Sequence, residues 1–223
     1  AFFLVRILFP KGIEFSRVAI SRNALSLMSM FLLSIAPWHI QFSRIAFEAQ
    51  IGLSFNLLCI LFFLVGLKRP IVLIISAIFA ALSIYVYQSE KVYIPLLLLL
   101  LVGTQYKAFF KISKKWLIAA FLTGLLVVLP MLIYVVTNPN ALNRAKGVSV
   151  FSDTTRLLEA NRIKIERDIK SNNYLGMIID NRRVDYVKAF TAGYLSHFEP
   201  NWLFYRGDAL RHQPPYMGLL YIF

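Results

Sequence analysis

The chain of 223 residues is 58% hydrophobic and 15% aromatic, with a mean hydropathy of +0.64. That is too apolar for a water-soluble domain of this size, and it reads as a membrane protein. Its 24 Lys and Arg against 11 Asp and Glu give +13 at pH 7. The excess lies in short connections between apolar runs, with no separate basic stripe carrying aromatics, so the pattern argues against nucleic acid as a partner.

In chain order, residues 1–9 read as the end of a helix closed by Pro10, followed by a basic connection through Arg22. Ser21 or Asn23 is placed to cap the next helix, 24–36, which Pro37 stops. Apolar runs at 45–67, 71–87, 92–106 and 116–136 make four more candidate crossings. They are separated by Lys68-Arg69-Pro70, by Gln88 to Lys91, and by the lysines at 107, 111, 114 and 115. Pro95 falls in the first turn of the fourth of these five spans. The single cysteine, Cys59, sits within an apolar run, which excludes an intrachain disulfide. The chain opens and closes inside apolar runs too short to cross a bilayer, so it is expected to be an internal piece of a longer protein.

Alternate connections differ in charge. Nine basic residues (Lys11, Arg17, Arg22, Lys68, Arg69, Lys107, Lys111, Lys114 and Lys115) share one side, against Arg44 and Lys91 on the other. The positive-inside rule places the nine in the cytoplasm and puts 37–48, 88–91 and everything from Asn138 to Tyr216 outside. The expected organisation is an all-α polytopic membrane protein. Residues 1–137 form a transmembrane bundle of about five crossings plus a partial first helix, 138–216 a helical extracytoplasmic module, and 217–223 the start of a further crossing. In the module, Asp153 caps a helix through Asn172 with Leu158, Ile165 and Ile169 as its apolar stripe. A second helix over 180–195 carries Val184, Val187, Thr191 and Tyr194 at helical spacing.

The chemistry-bearing residues cluster in the outward connections. Residues 37–48 bring His39, Gln41, Arg44 and Glu48 to the edge of hydrocarbon, where an ionisable group needs a partner or a ligand. If the helix starting at Ile45 includes them, Arg44 and Glu48 lie on one face, about 6 Å apart along the axis, a face suited to the phosphate of a membrane-bound donor. Glu90 and Lys91 repeat the pairing of an acid with a base in the next outward turn. The spacings of His39, His197 and His212 match no metal motif. The sequence assigns no metal site and no cofactor, and leaves a divalent metal open. Ser196-His197 with Asp208 has the composition of a hydrolase triad without its glycine elbow. Arg206-Gly207-Asp208 reads as a structural turn. No phosphate-binding glycine loop is present.

Three stretches carry a resemblance: Ser34-Ile-Ala-Pro-Trp-His-Ile-Gln-Phe-Ser-Arg-Ile-Ala-Phe-Glu48, Tyr87-Gln-Ser-Glu-Lys-Val-Tyr-Ile-Pro95, and His197-Phe-Glu-Pro200 through Arg206-Gly-Asp208 to Arg211-His212. Together they resemble bacterial GT-C membrane glycosyltransferases, similar to dolichyl-phosphate-mannose protein mannosyltransferases and lipid A aminoarabinose transferases. The resemblance implies an inverting transferase of the bacterial inner membrane. Its donor is a polyprenyl-phosphate sugar, and its acceptor is a protein, lipid or glycan on the extracytoplasmic face. It implies that Arg44 and Glu48, matching an Arg-x-x-x-Asp/Glu pattern, meet the donor phosphate. The catalytic acid would stand in an outward loop ahead of residue 1. His39, Glu90, Lys91, Arg206, Asp208, Arg211 and His212 complete the candidate substrate contacts. A transporter or flippase of a lipid-linked or anionic solute is the alternative, using Arg44 as a gate.

Overall fold

The computed structural model describes residues 1–15, 18–138, 155–207 and 218–220. Asp153, Asp208, Arg211 and His212 lie outside the described residues. The first part comprises α1 (Phe2–Leu8), β1 (Ile13–Phe15), β2 (Val18–Ile20), α2 (Arg22–Ile35), α3 (Pro37–Arg44) and α4 (Glu48–Gly66). A 3-10 turn, Pro70–Val72, leads into α5 (Leu73–Val86), followed by α6 (Glu90–Thr104), α7 (Tyr106–Phe109) and α8 (Lys114–Thr137). Beyond it come α9 (Thr155–Lys170), α10 (Tyr174–Ile179), α11 (Arg182–Ser196) and a π-helical turn, Asn201–Arg206.

The basic connection before α2 is not a plain loop. It holds an antiparallel hairpin in which Ile13 faces Ile20 and Glu14 faces Ala19. Gly12, at φ +83°, turns the chain into it, and a Cβ there would strike the carbonyl of Ile20. Of the two capping candidates, Ser21 is the one that caps α2, its hydroxyl accepting from the Ala24 amide at 3.3 Å, while Asn23 lies within the helix.

Two helices, α4 and α8, are long and apolar enough to cross a membrane. The pair α2 and α3, bent by 55°, makes a third if counted as one span. The sequence expectation of five crossings is therefore met only in part. Pro37 breaks the first span, and α5 has 14 residues, about 21 Å of helix against a hydrocarbon core of about 30 Å.

Helices α4 and α5 pack as an antiparallel hairpin along a stripe of small and polar residues. On α4, Gly52, Asn56, Cys59, Phe63 and Gly66 recur at alternating spacings of four and three. Leu73, Ser76, Ala80 and Ser83 answer from α5. Small residues let the backbones approach, which is how helices associate where lipid removes the hydrophobic drive. The Ser76 hydroxyl donates to the Cys59 carbonyl at 2.8 Å, and Gly66 lies against Leu73. Ile94, Leu97 and Leu101 of α6 complete the core, with Phe63 stacked on Phe109. Helix α8 buries no residue fully and is tied to α5 by the Tyr85 hydroxyl, which donates to the Val127 carbonyl at 2.6 Å. Pro130 withdraws the amide that would have bonded the adjacent Leu126 carbonyl, so this tie secures a weakened turn.

The helices after α8 bury polar groups, while Ile165 and Val184 of the expected stripes are only half-buried. Among their described side chains, Asn161, Asp168 and Asp185 are buried, while Ile169, Val187 and Tyr194 are more than half exposed. Asn161 donates to Asp185 at 2.6 Å and to the Asp180 carbonyl. Asp168 accepts from Asn173 at 3.1 Å. The packing of α9 against α10 and α11 thus includes these hydrogen bonds, while Val187, Thr191 and Tyr194 of the predicted α11 stripe are exposed.

Candidate functional site

The first two stretches singled out from the sequence are in contact at the end of the bundle opposite the basic connections, and the described part of the third, 197–207, is linked to them through 218–220. Pro37 occupies the first position of α3, where its missing amide costs nothing, and turns the chain by 55° out of the axis of α2. Trp38 then lies edge-on to His39, with ring centres 5.6 Å apart, and near Phe42 at 6.5 Å. The helix ends at Arg44 in a six-to-one cap. The Phe47 amide donates to Phe42 O at 3.0 Å and the Ala46 amide to Ser43 O at 3.3 Å, with the Phe42 and Phe47 rings 5.2 Å apart beneath. This cap holds Ala46 at φ +50°, a conformation usually left to glycine.

That geometry corrects the expectation of a shared helical face. Arg44 is the last residue of α3 and Glu48 the first of α4, on two helices separated by the left-handed Ala46. They form no ion pair with each other, and both are exposed. Each charge also suits its own helix end: a cation where α3 presents carbonyls, and an anion where α4 presents amides. Glu48 is accordingly not the buried acid that its sequence context implied.

Of the acids in the two outward turns, the buried one is Glu90. It is 7% exposed at the start of α6, with Oε2 accepting from Asn56 Nδ2 at 2.9 Å. Asn56 Oδ1 takes the Ser83 hydroxyl at 2.7 Å. Oε1 stands against Gly52, where a Cβ would come within 3.0 Å. Asn56 and Ser83 did not figure among the candidate residues. The available signal was a single Asn within the long apolar run of α4, since a buried amide in hydrocarbon requires a polar partner. Lys91, beside Glu90, points differently and donates to Gln88 Oε1 at 2.7 Å.

Ring and backbone contacts join the stretches. Phe47 packs on Tyr87 at 5.9 Å, linking the approach to α4 with the turn before α6. The Trp38 amide donates to Leu219 O at 3.3 Å, and the Leu220 amide to Leu203 O at 2.9 Å, so 218–220 bridges α3 and the π turn. Gly218 permits this approach, because a Cβ would meet the backbone of Leu203 and Phe204. His197 is occupied as a helix terminator, with Nδ1 at 2.7 Å from the Gly193 carbonyl, which fixes the proton on Nδ1, and its ring edge-on to Trp202. Arg206 closes the π turn and Gly207 follows at φ +59°, ψ −152°, backbone essentially reserved for glycine.

The arrangement thus has the exposed Arg44 guanidinium, the half-buried His39 and the Lys91 ammonium at one end of the bundle. Glu90 is committed to the helix seam. Cations on such a rim are suited to hold an oxyanion, and Arg can bind two of its oxygens at once. Among the described residues no group of three or more His, Cys, Asp or Glu is disposed to hold a metal ion. No protein-family model, curated protein or solved structure matches this chain.

Proposed function

We propose that the chain forms part of a membrane glycosyltransferase that moves a sugar from a polyprenyl-phosphate donor to a protein, lipid or glycan acceptor. The end carrying Arg44 and Lys91 would face the extracytoplasmic side of a bacterial inner membrane. What supports the reading is convergence: the first two stretches and the described part of the third, 197–207, are joined there by the Phe47–Tyr87 ring pair and the 218–220 bridge.

In this reading an acceptor oxygen attacks the anomeric carbon and the bond from that carbon to the phosphate oxygen breaks. The electron pair leaves on the phosphate. Arg44 takes up the charge developing on its oxygens, as a cation held at the end of a helix can. The acceptor proton goes to a carboxylate that the family resemblance places ahead of residue 1. An apolar cleft of about 390 Å³ between α5, α6 and α8, with Ala80, Ile84 and Ile94 on one side and Phe121 and Val128 on the other, offers room for hydrocarbon chain.

The test is transfer from polyprenyl-phosphate-linked sugars by the protein in detergent, where no barrier exists and transport has no meaning. Arg44→Ala is expected to abolish transfer at unchanged expression. Unaltered turnover in that variant removes Arg44 from the donor site, and no transfer from any donor by the full protein overturns the reading.

A further inference from the structure

The basic end of the bundle contains a second cleft that the proposed transfer does not use. It opens between α1, α2 and α4 with a volume of about 370 Å³. Most of its wall is hydrocarbon, contributed by Phe3 and Ile7 from α1 and by Leu61, Phe62 and Val65 from α4. Two arginines, Arg6 and Arg22, complete it.

The lining is graded along the helix axes. Helix α4 runs toward the connection holding Lys68 and Arg69, so Leu61 and Phe62 lie deeper than Val65. On α1, Phe3 precedes Arg6 by three residues, about 4.5 Å of helix, again with the apolar group deeper. Arg22 is the first residue of α2, level with that same connection. One cleft therefore has a hydrocarbon floor and a cationic mouth, the polarity profile of a phospholipid entering from the bilayer.

Among the described residues, no ion pair involves Arg6 or Arg22, and Glu14, the acid of the adjoining hairpin, pairs with neither. Arg6 rests over the Phe2 ring at 5.5 Å, which orients the group and leaves its charge uncompensated. The positive-inside bias accounts for cations in a connection. It does not account for two of them sharing the rim of one apolar cleft.

We propose that this cleft is a binding site for an anionic phospholipid, with its phosphate held between Arg6 and Arg22 and an acyl chain laid along Phe3, Leu61 and Phe62. A small free anion satisfies the mouth alone and leaves the apolar floor uncovered, so the lipid is the occupant the lining selects.

The experiment uses the purified, delipidated membrane protein, titrated with phosphatidylglycerol and with phosphatidylcholine of the same chains and read by native mass spectrometry. Phosphatidylglycerol is expected to bind in preference. Each of Arg6→Gln and Arg22→Gln should reduce that preference about five-fold, the contribution of one basic side chain at a membrane surface. A Lys107→Gln/Lys111→Gln pair, at the same end but outside the cleft, should leave it intact. Equal loss in that control, or retention of the preference in the double arginine variant, overturns the proposal. So does displacement of the lipid by millimolar inorganic phosphate. Photocrosslinking of a phosphatidylglycerol bearing its reactive group on the acyl chain needs no variant. Label is expected in the peptides containing Phe3 or Leu61–Phe62, and label confined elsewhere overturns the proposal.

Discussion

Asn56 and Glu90, 34 residues apart in sequence, share a 2.9 Å hydrogen bond inside the helix bundle, and the Ser83 hydroxyl supports the asparagine from α5 at 2.7 Å. One amide thereby joins α4, α5 and α6 at the end where the candidate donor contacts lie. Removing the amide leaves a buried carboxyl without its donor, whereas making the acid an amide retains an acceptor at the same place. Asn56→Leu is expected to lower stability by about 1–3 kcal/mol, and Glu90→Gln by less than about 1 kcal/mol, in thermal unfolding followed by circular dichroism in detergent. A larger loss for Glu90→Gln than for Asn56→Leu would show that the carboxyl's role is not this hydrogen bond.

Two glycines test the close packing of the α4–α5 hairpin. A Cβ on Gly66 would stand 2.6 Å from Leu73 Cδ2 and 3.1 Å from its amide nitrogen, while a Cβ on Gly103 of α6 would meet nothing within 4 Å. Gly66→Ala should destabilise by about 1–3 kcal/mol through overpacking. Gly103→Ala should stabilise by up to about 1 kcal/mol through helix propensity alone. The same thermal unfolding measurement reports both, and their opposite signs are the expected result.

The cap between α3 and α4 holds Ala46 in a left-handed conformation at φ +50°. For a residue with a Cβ this costs about 1–2 kcal/mol, from which the backbone entropy that glycine loses on folding, about 0.5–1 kcal/mol, must be subtracted. Ala46→Gly is therefore expected to raise the unfolding midpoint modestly and Ala46→Val to lower it. If glycine lowers the midpoint, the cap is not limited by strain at this residue.

Cys59 is fully buried in the seam between α4 and α5. A membrane-impermeant maleimide is expected to leave it unlabelled in the folded protein and to react once the protein is denatured. That silence makes the native chain a background for orientation. Ser43→Cys, exposed at the end of α3, should label in intact cells, and Ser113→Cys, exposed before α8, only after permeabilisation. The reverse pattern would invert the orientation inferred from the basic connections.

Much of the architecture was legible from local chemistry. Helical class, the stop at Pro37, a cap at Ser21 or Asn23 and the approximate limits of α4 and α8 follow from interactions within a few residues, and apolar runs and prolines report these directly. The hairpin before α2 escaped notice because each strand has only three residues, too short for a period-two pattern to stand out. The placement of Arg44 and Glu48 on separate helices depended on a left-handed alanine, which no propensity favours and which the Phe42–Phe47 contact supports.

Which acid is buried was a question of packing. Glu48 and Glu90 each begin a helix beside an aromatic or polar turn, and nothing local distinguishes them. The difference arises because the α4–α5 hairpin carries Asn56 to the start of α6, 34 residues away, while Glu48 stays at the exposed rim. The sequence by itself determined where charge is affordable along the chain, since helix ends and membrane connections impose that locally. Only the tertiary structure decided which charges are enclosed and which three distant stretches share one end of the bundle, because hydrogen bonds and ring contacts between remote segments exist only once the helices have packed.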